Sequence, residues 1–118
     1  MIKVKVYRDN NKNGEIIGFQ IRGHANFAQE GEDIVCAAVS ALGLTGIFAC
    51  EKLCDLTEDI EQPEKGLLEV KLPGDLSQAQ QKKGQIILET VIIGIYETAR
   101  NYSDYIEIRD EGGEYSWN

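Results

Sequence analysis

Residues 2–8, Ile2-Lys3-Val4-Lys5-Val6-Tyr7-Arg8, alternate apolar and polar side chains with a period of two. That period places one set of side chains on each side of an extended chain and predicts a half-buried strand. Asp9-Asn10-Asn11-Lys12-Asn13-Gly14 follows. It is turn chemistry, with Asn13 and Gly14 tolerant of positive φ. Residues 15–22 alternate again around Ile17, Phe19 and Ile21, so the first two strands are expected to form an antiparallel hairpin.

After Gly23-His24-Ala25 comes a polar stretch, residues 26–32, and then Asp33, a good N-cap residue. Residues 34–54 have helical character, with Gly43 and Gly46 suited to close packing and Lys52 in the last turn, where a cation complements the helix dipole. Residues 56–62 and 67–72 read as two strands joined by the turn Pro63-Glu64-Lys65-Gly66. Pro73-Gly74-Asp75 breaks the chain and is a candidate cap for a second helix over 77–101. Its apolar Leu88, Val91, Ile92, Ile95, Tyr96 and Ala99 recur at helical spacing. Residues 105–109 read as a last strand. The expected fold is α+β, with element order ββαββαβ. Two long helices lie on one face of a mainly antiparallel or mixed sheet and bury one core between two layers. Residues 1–111 form a single domain, and 112–118 a loose tail.

Length and composition fit this reading. The 118 residues suffice for one modest core, and 42% hydrophobic with 27% charged residues is ordinary for a soluble globular domain. Twenty acidic against twelve basic residues give a net charge of -8, which repels phosphate backbones and makes nucleic acid a poor direct partner. A basic protein would be attracted. The N-terminus shows no apolar signal core. The longest uncharged run, residues 34–50, falls short of the roughly 18–20 residues of a membrane span and reads as a buried helix. Three cysteines, an odd number, point to reduced thiols and a cytosolic setting.

The chemistry concentrates between the second strand and the first helix. His24 is the only histidine, and it stands where the strand ends. With Asp33 as N-cap, Cys36 occupies the third helical position, among unpaired backbone N–H groups and partial positive charge that favour a thiolate. An imidazole within reach could take the thiol proton and later return it to a leaving amine. First-turn N–H groups or the Gly23 backbone are candidate oxyanion donors. Ordinary readings stand beside these. A lone cysteine in an apolar helix is usually a small hydrophobe. Asp33 is more readily a helix cap than an acid orienting His24. Ser40, one turn beyond Cys36, could bond the thiol, line a pocket, or bond back to a helix carbonyl. Cys50 and Cys54 are four apart. With a single histidine and no CxxC pair they read as packing residues, so neither metal nor cofactor is expected.

The Gly23-His24-Ala25 block, followed by Gly31-Glu32-Asp33-Ile34-Val35-Cys36-Ala37-Ala38-Val39-Ser40, resembles the ribosomal-processing cysteine proteases, the Prp family. The resemblance extends more loosely to about Arg109. It implies an endopeptidase that removes the N-terminal extension of large-subunit ribosomal protein twenty-seven, cleaving after a pair of phenylalanines. It places the catalytic pair on His24 and Cys36, with Gly23, Asp33 and Ser40 as supporting positions. It also implies a homodimer and a mobile loop at about residues 25–32. Phe27 is a candidate wall for the substrate phenylalanines. Two other classes stay open from the residues alone: a non-catalytic, ribosome-associated module that holds a basic protein, and a thiol redox switch at Cys36.

Overall fold

The structure, a computed structural model, describes residues 1–23, 33–56, 60–61 and 66–111. The elements are β1 (Ile2–Asp9), β2 (Glu15–Arg22), α1 (Ile34–Leu53), β3 (Ile60–Glu61), β4 (Leu67–Lys71), α2 (Gln78–Asn101) and β5 (Ile106–Asp110), with a short 3-10 turn at Asn10–Lys12. The order is ββαββαβ, as the periodicities predict. The strands form one sheet in the order β3-β4-β2-β1-β5. The β1–β2, β2–β4 and β3–β4 pairs are antiparallel, and β1–β5 is parallel, so the sheet is mixed. The parallel pair needs a long crossover, which α2 provides.

Both helices cover one face. Ile2, Val4 and Val6 of β1, Phe19 and Ile21 of β2 and Val70 of β4 point into that layer, where Val35, Val39, Ile47, Leu88, Ile92 and Ile95 of the helices meet them. Each such side chain contributes roughly 1.5–3 kcal/mol relative to exposure. The opposite face of the sheet carries Lys3, Lys5, Gln20, Arg22, Glu69 and Arg109.

The hairpin departs from simple alternation at one place. Tyr7 pairs with Gly18 but Arg8 pairs with Ile16, which leaves Ile17 as the extra residue of a β-bulge. Ile16, not Ile17, therefore faces the core and is fully buried. The Ile17 carbonyl instead accepts the Leu72 N–H at 2.6 Å. Asn13 and Gly14 adopt the positive φ values of 59° and 74° that the turn requires.

The first residue of the predicted third strand, Leu56, is not part of it. Cys54 ends α1, Asp55 turns left-handed at φ 57°, and the Leu56 N–H returns to the Cys50 carbonyl. Leu56 thus belongs to the helix exit, and among the described residues Ile60–Glu61 pairs with β4. The cap of α2 is also corrected. Ser77, rather than the 73–75 segment, accepts the Gln80 N–H at 3.1 Å, while the Gln80 side chain accepts the Ser77 N–H. The Gln80 amide also donates to the Cys54 carbonyl at 2.8 Å, which ties the start of α2 to the end of α1.

α1 is buried on one side only. Val35, Val39, Gly43, Gly46, Ile47 and Cys50 face the core, whereas Ile34 and Phe48 are 55% and 47% exposed. An 18-residue stretch of this helix has a mean hydropathy of 1.9, long and apolar enough to cross a membrane, yet it packs on the sheet as a core helix. The expected tail at 112–118 lies outside the described residues.

Candidate active site

Two glycines fix how α1 crosses the sheet. A Cβ added at Gly43 would lie 2.8 Å from Ile21 Cδ1 and 3.1 Å from Leu68 Cδ1, and one at Gly46 would lie 3.4 Å from Phe19 Cε2. Going from Gly43 to Gly46, the helix passes from Ile21 back to Phe19, so it runs antiparallel to β2. Its start therefore overlies the end of that strand. Cys36 lies about 10 Å before Gly43 along the helix axis, at about 1.5 Å per residue. Gly23 lies about 7 Å beyond Ile21 along the strand. Packing thus brings the first turn of α1 and the segment leaving β2 to the same end of the molecule.

Gly23 is held there by its backbone. It has φ 91°, its N–H donates to the Gly66 carbonyl at 3.1 Å, and a Cβ would meet the Met1 carbonyl oxygen at 2.6 Å. A side chain would be strained and obstructed, so glycine is required where the chain turns out of the sheet. His24 follows directly. His24, Phe27 and the loop expected to be mobile lie outside the described residues.

At the helix start Asp33 acts as the cap. One of its oxygens accepts the N–H of Val35 at 3.1 Å and of Cys36 at 3.0 Å. Its backbone carbonyl accepts the Ala37 N–H at 3.1 Å. This narrows the candidate oxyanion donors. The N–H groups of Val35, Cys36, Ala37 and Gly23 are all engaged, which leaves the Ile34 N–H as the first-turn donor with no bond among the described residues. Sequence inspection missed Ile34, because only the cap geometry shows which donors a cap consumes. It also missed that Gly66, a turn residue at φ 83°, anchors Gly23.

Cys36 is half-buried and packs against the edge of the core. A reactive thiol needs both a way in for substrate and shelter from bulk water, and this position provides both. Ser40 is exposed one turn on. Its hydroxyl makes no hydrogen bond among the described residues, unlike Thr45, which bonds back to the Ala41 carbonyl at 2.7 Å. The other thiols are different. Burial pushes the Cys50 thiol up to about 12, helped by the neighbouring Cys54, and burial also raises Cys54. Cys54 donates weakly to the Gln80 carbonyl at 3.8 Å. Both are core residues, as the sequence reading expects.

The family profile for the cysteine protease Prp matches residues 1–107. The chain belongs to the cysteine protease Prp family. It is a cysteine protease. The ribosomal processing cysteine protease Prp of Bacillus subtilis (strain 168) is 31% identical over 114 residues, which cover 92% of this chain and 96% of that protein. The crystal structure of SMU.848 from Streptococcus mutans superposes with a TM-score of 0.74 at 28% identity, covering 93% of each chain. The ribosomal processing protease Prp of Staphylococcus aureus, solved with a covalently linked product peptide, has a TM-score of 0.75 at 23% identity. It covers 94% of this chain and is itself covered in full, a likeness of fold. The Prp fold is thus the two-layer α+β arrangement described above.

Proposed function

We propose that this Prp-family protease removes the N-terminal extension of large-subunit ribosomal protein twenty-seven by cutting after a Phe-Phe pair, with Cys36 as nucleophile and His24 as its base. The observation that carries the reading is the crossing of α1 over β2. It directs a half-buried thiol in a helix's first turn toward the strand end from which His24 continues. In the first step His24 takes the Cys36 proton, and the thiolate adds to the carbonyl carbon of the second phenylalanine. The tetrahedral oxyanion is met by the helix start, with the Ile34 N–H as the available donor. The C–N bond then breaks, the imidazolium protonates the leaving amine, and a thioester remains. Water, deprotonated by His24, hydrolyses the thioester and restores the thiol. Asp33 serves as the helix cap that orients this turn, Gly23 as the hinge that releases His24 from the sheet, and Ser40 as pocket lining. Phe27 is assigned to the wall that receives the substrate phenylalanines.

The acidic balance of the chain suits a basic ribosomal substrate. Cys36, Cys50 and Cys54 are thiols outside any disulfide, which suits a reducing cytosol. A homodimer through the outer side of the helical layer is supported by its composition. Ile34 and Phe48 of α1 and Ile86 and Ile93 of α2, the latter two 67% and 46% exposed, form an uncovered apolar surface. A helix apolar on all sides normally has both sides covered.

The test is mass-resolved cleavage of the unprocessed ribosomal protein. Wild type should release the extension at the Phe-Phe junction, and Cys36→Ala should release none. Cleavage by Cys36→Ala at the wild-type rate would remove the proposed nucleophile. Binding of the substrate without any product in wild type would instead favour a non-catalytic module.

A further inference from the structure

One end of the sheet's open face reverses the charge of the molecule. Toward the start of β1, strand register puts Lys3, Lys5, Arg22 and Arg109 together on that face, with Glu107 among them. Around this end of the face four cations thus stand against one carboxylate, Glu107, which pairs with Arg109 at 3.5 Å, in a chain of twelve basic and twenty acidic residues. Lys3 is paired with Arg22 across β1 and β2, and Lys5 with Arg109 across β1 and β5. Like charges directly opposite in a sheet are unfavourable, and a chain rich in carboxylates could have avoided them. Lys3, Lys5 and Arg22 form no ion pair among the described residues. Lys3, Lys5, Gln20, Arg22, Glu107 and Arg109 line a shallow hollow of about 180 Å³. Beside it Lys71 sits over the Tyr7 ring, 4.3 Å from its centroid.

We infer that this face docks on RNA, through phosphates seated among Lys3, Lys5, Arg22 and Arg109. Neighbouring cations in such a lattice stand about 5–7 Å apart at their Cα atoms, a spacing that lets consecutive phosphates of one strand be met together. The net charge of -8 argues against nucleic acid only for the chain as a whole. At physiological ionic strength, charges more than about 8 Å away are largely screened, so the local face decides. The choice of RNA over an acidic protein rests on the ribosomal-processing reading above, since RNA is the polyanion that accompanies a ribosomal protein. The face lies on the opposite side of the sheet from the exposed apolar helices, so dimerisation there would leave it open.

The experiment is anisotropy of a labelled short mixed-sequence single-stranded RNA, titrated between about 50 and about 200 mM salt. Wild type is compared with the Lys3→Gln/Lys5→Gln/Arg109→Gln triple variant and with Glu107→Lys, and cleavage of a free Phe-Phe peptide is followed in parallel. All substituted side chains are on the solvated face, and circular dichroism checks folding. Wild-type affinity should fall steeply with salt. The triple variant should lower the log–log salt slope by about 2, at about 0.7 for each phosphate no longer neutralised. Glu107→Lys should tighten binding, and peptide cleavage should be unchanged in both variants. Undetectable wild-type binding at low salt, equal binding by the triple variant, or polyglutamate competing as well as RNA would each overturn the inference, the last in favour of an acidic protein. Free-peptide cleavage needs no RNA, so the protease reading and this one fail separately.

Discussion

The backbone N–H of Cys36 donates to the carboxylate of Asp33 at 3.0 Å, so the residue that starts the helix also fixes the turn carrying the thiol. Replacing Asp33 by Ala should cost about 1 kcal/mol of stability in urea unfolding, and cleavage should fall with it as the first turn frays. Asp33→Asn keeps an acceptor of the same shape. It should retain the stability and most of the activity, whereas a large loss of kcat in a fully stable Asp33→Asn protein would show that the carboxylate charge has a direct chemical part.

The three thiols should separate cleanly by reactivity. Alkylation of native protein, read by peptide mass mapping across pH, should modify Cys36 alone. Cys50, raised to about 12, and Cys54 are held in the neutral thiol form by burial. Alkylation at Cys36 should abolish cleavage. Fast modification of Cys50 in the folded protein would contradict the packing described here.

Gly43→Ala tests the crossing of α1 over β2. The added methyl meets Ile21 and Leu68 at 2.8 and 3.1 Å, and overpacking of about 1–3 kcal/mol outweighs a helix-propensity gain of about 1 kcal/mol. A net destabilisation on the order of 1 kcal/mol is expected, with reduced kcat because the first turn shifts relative to β2. Gly74→Ala, where an added Cβ has open space, should be neutral or slightly stabilising and leave cleavage intact.

At the far end of β1, Arg8 grips Asp110 through two bonds of 2.6 and 3.0 Å, and Tyr96 donates to the same carboxylate at 3.1 Å. The Asp110 side chain is 3% exposed. Asp110→Ala removes the guanidinium's charged partner, leaving its bond to the Gly14 carbonyl, and should cost about 3 kcal/mol by thermal or urea unfolding. Specific activity per folded molecule should hold, because this lock sits at the opposite end of the sheet from Gly23. Arg8→Met added to Asp110→Ala should recover part of the loss.

Tyr7 gives a pH signature. Burial, then its hydrogen bond to Glu69 at 3.1 Å and that residue's charge, raise its phenol to about 12. The folded state thus holds this proton more tightly than the unfolded chain. The contribution to stability is complete below the ordinary value of 10 and is lost as pH rises through about 12. In an ultraviolet titration Tyr7 should ionise after ordinary tyrosines, and Glu69→Gln should bring it earlier.

Local order was written in the chain. Period-two alternation marked β1 and β2, helical spacing of Leu88 through Ala99 marked α2, and Asp33 marked the start of α1, because each reports which side of one element meets a core. The proposed pair of His24 and Cys36 rests on a pattern of residue types, and His24 lies outside the described residues. What needed the third dimension depends on packing between elements distant in sequence. The Ile17 bulge follows from pairing β2 with β1. The loss of Leu56 to a helix exit follows from a carbonyl six residues back. The approach of Cys36 to the end of β2 follows from two glycines set over Phe19 and Ile21. The basic hollow is the clearest case: a single net charge sums over the chain, whereas strand register gathers Lys3, Lys5, Arg22 and Arg109 around one spot.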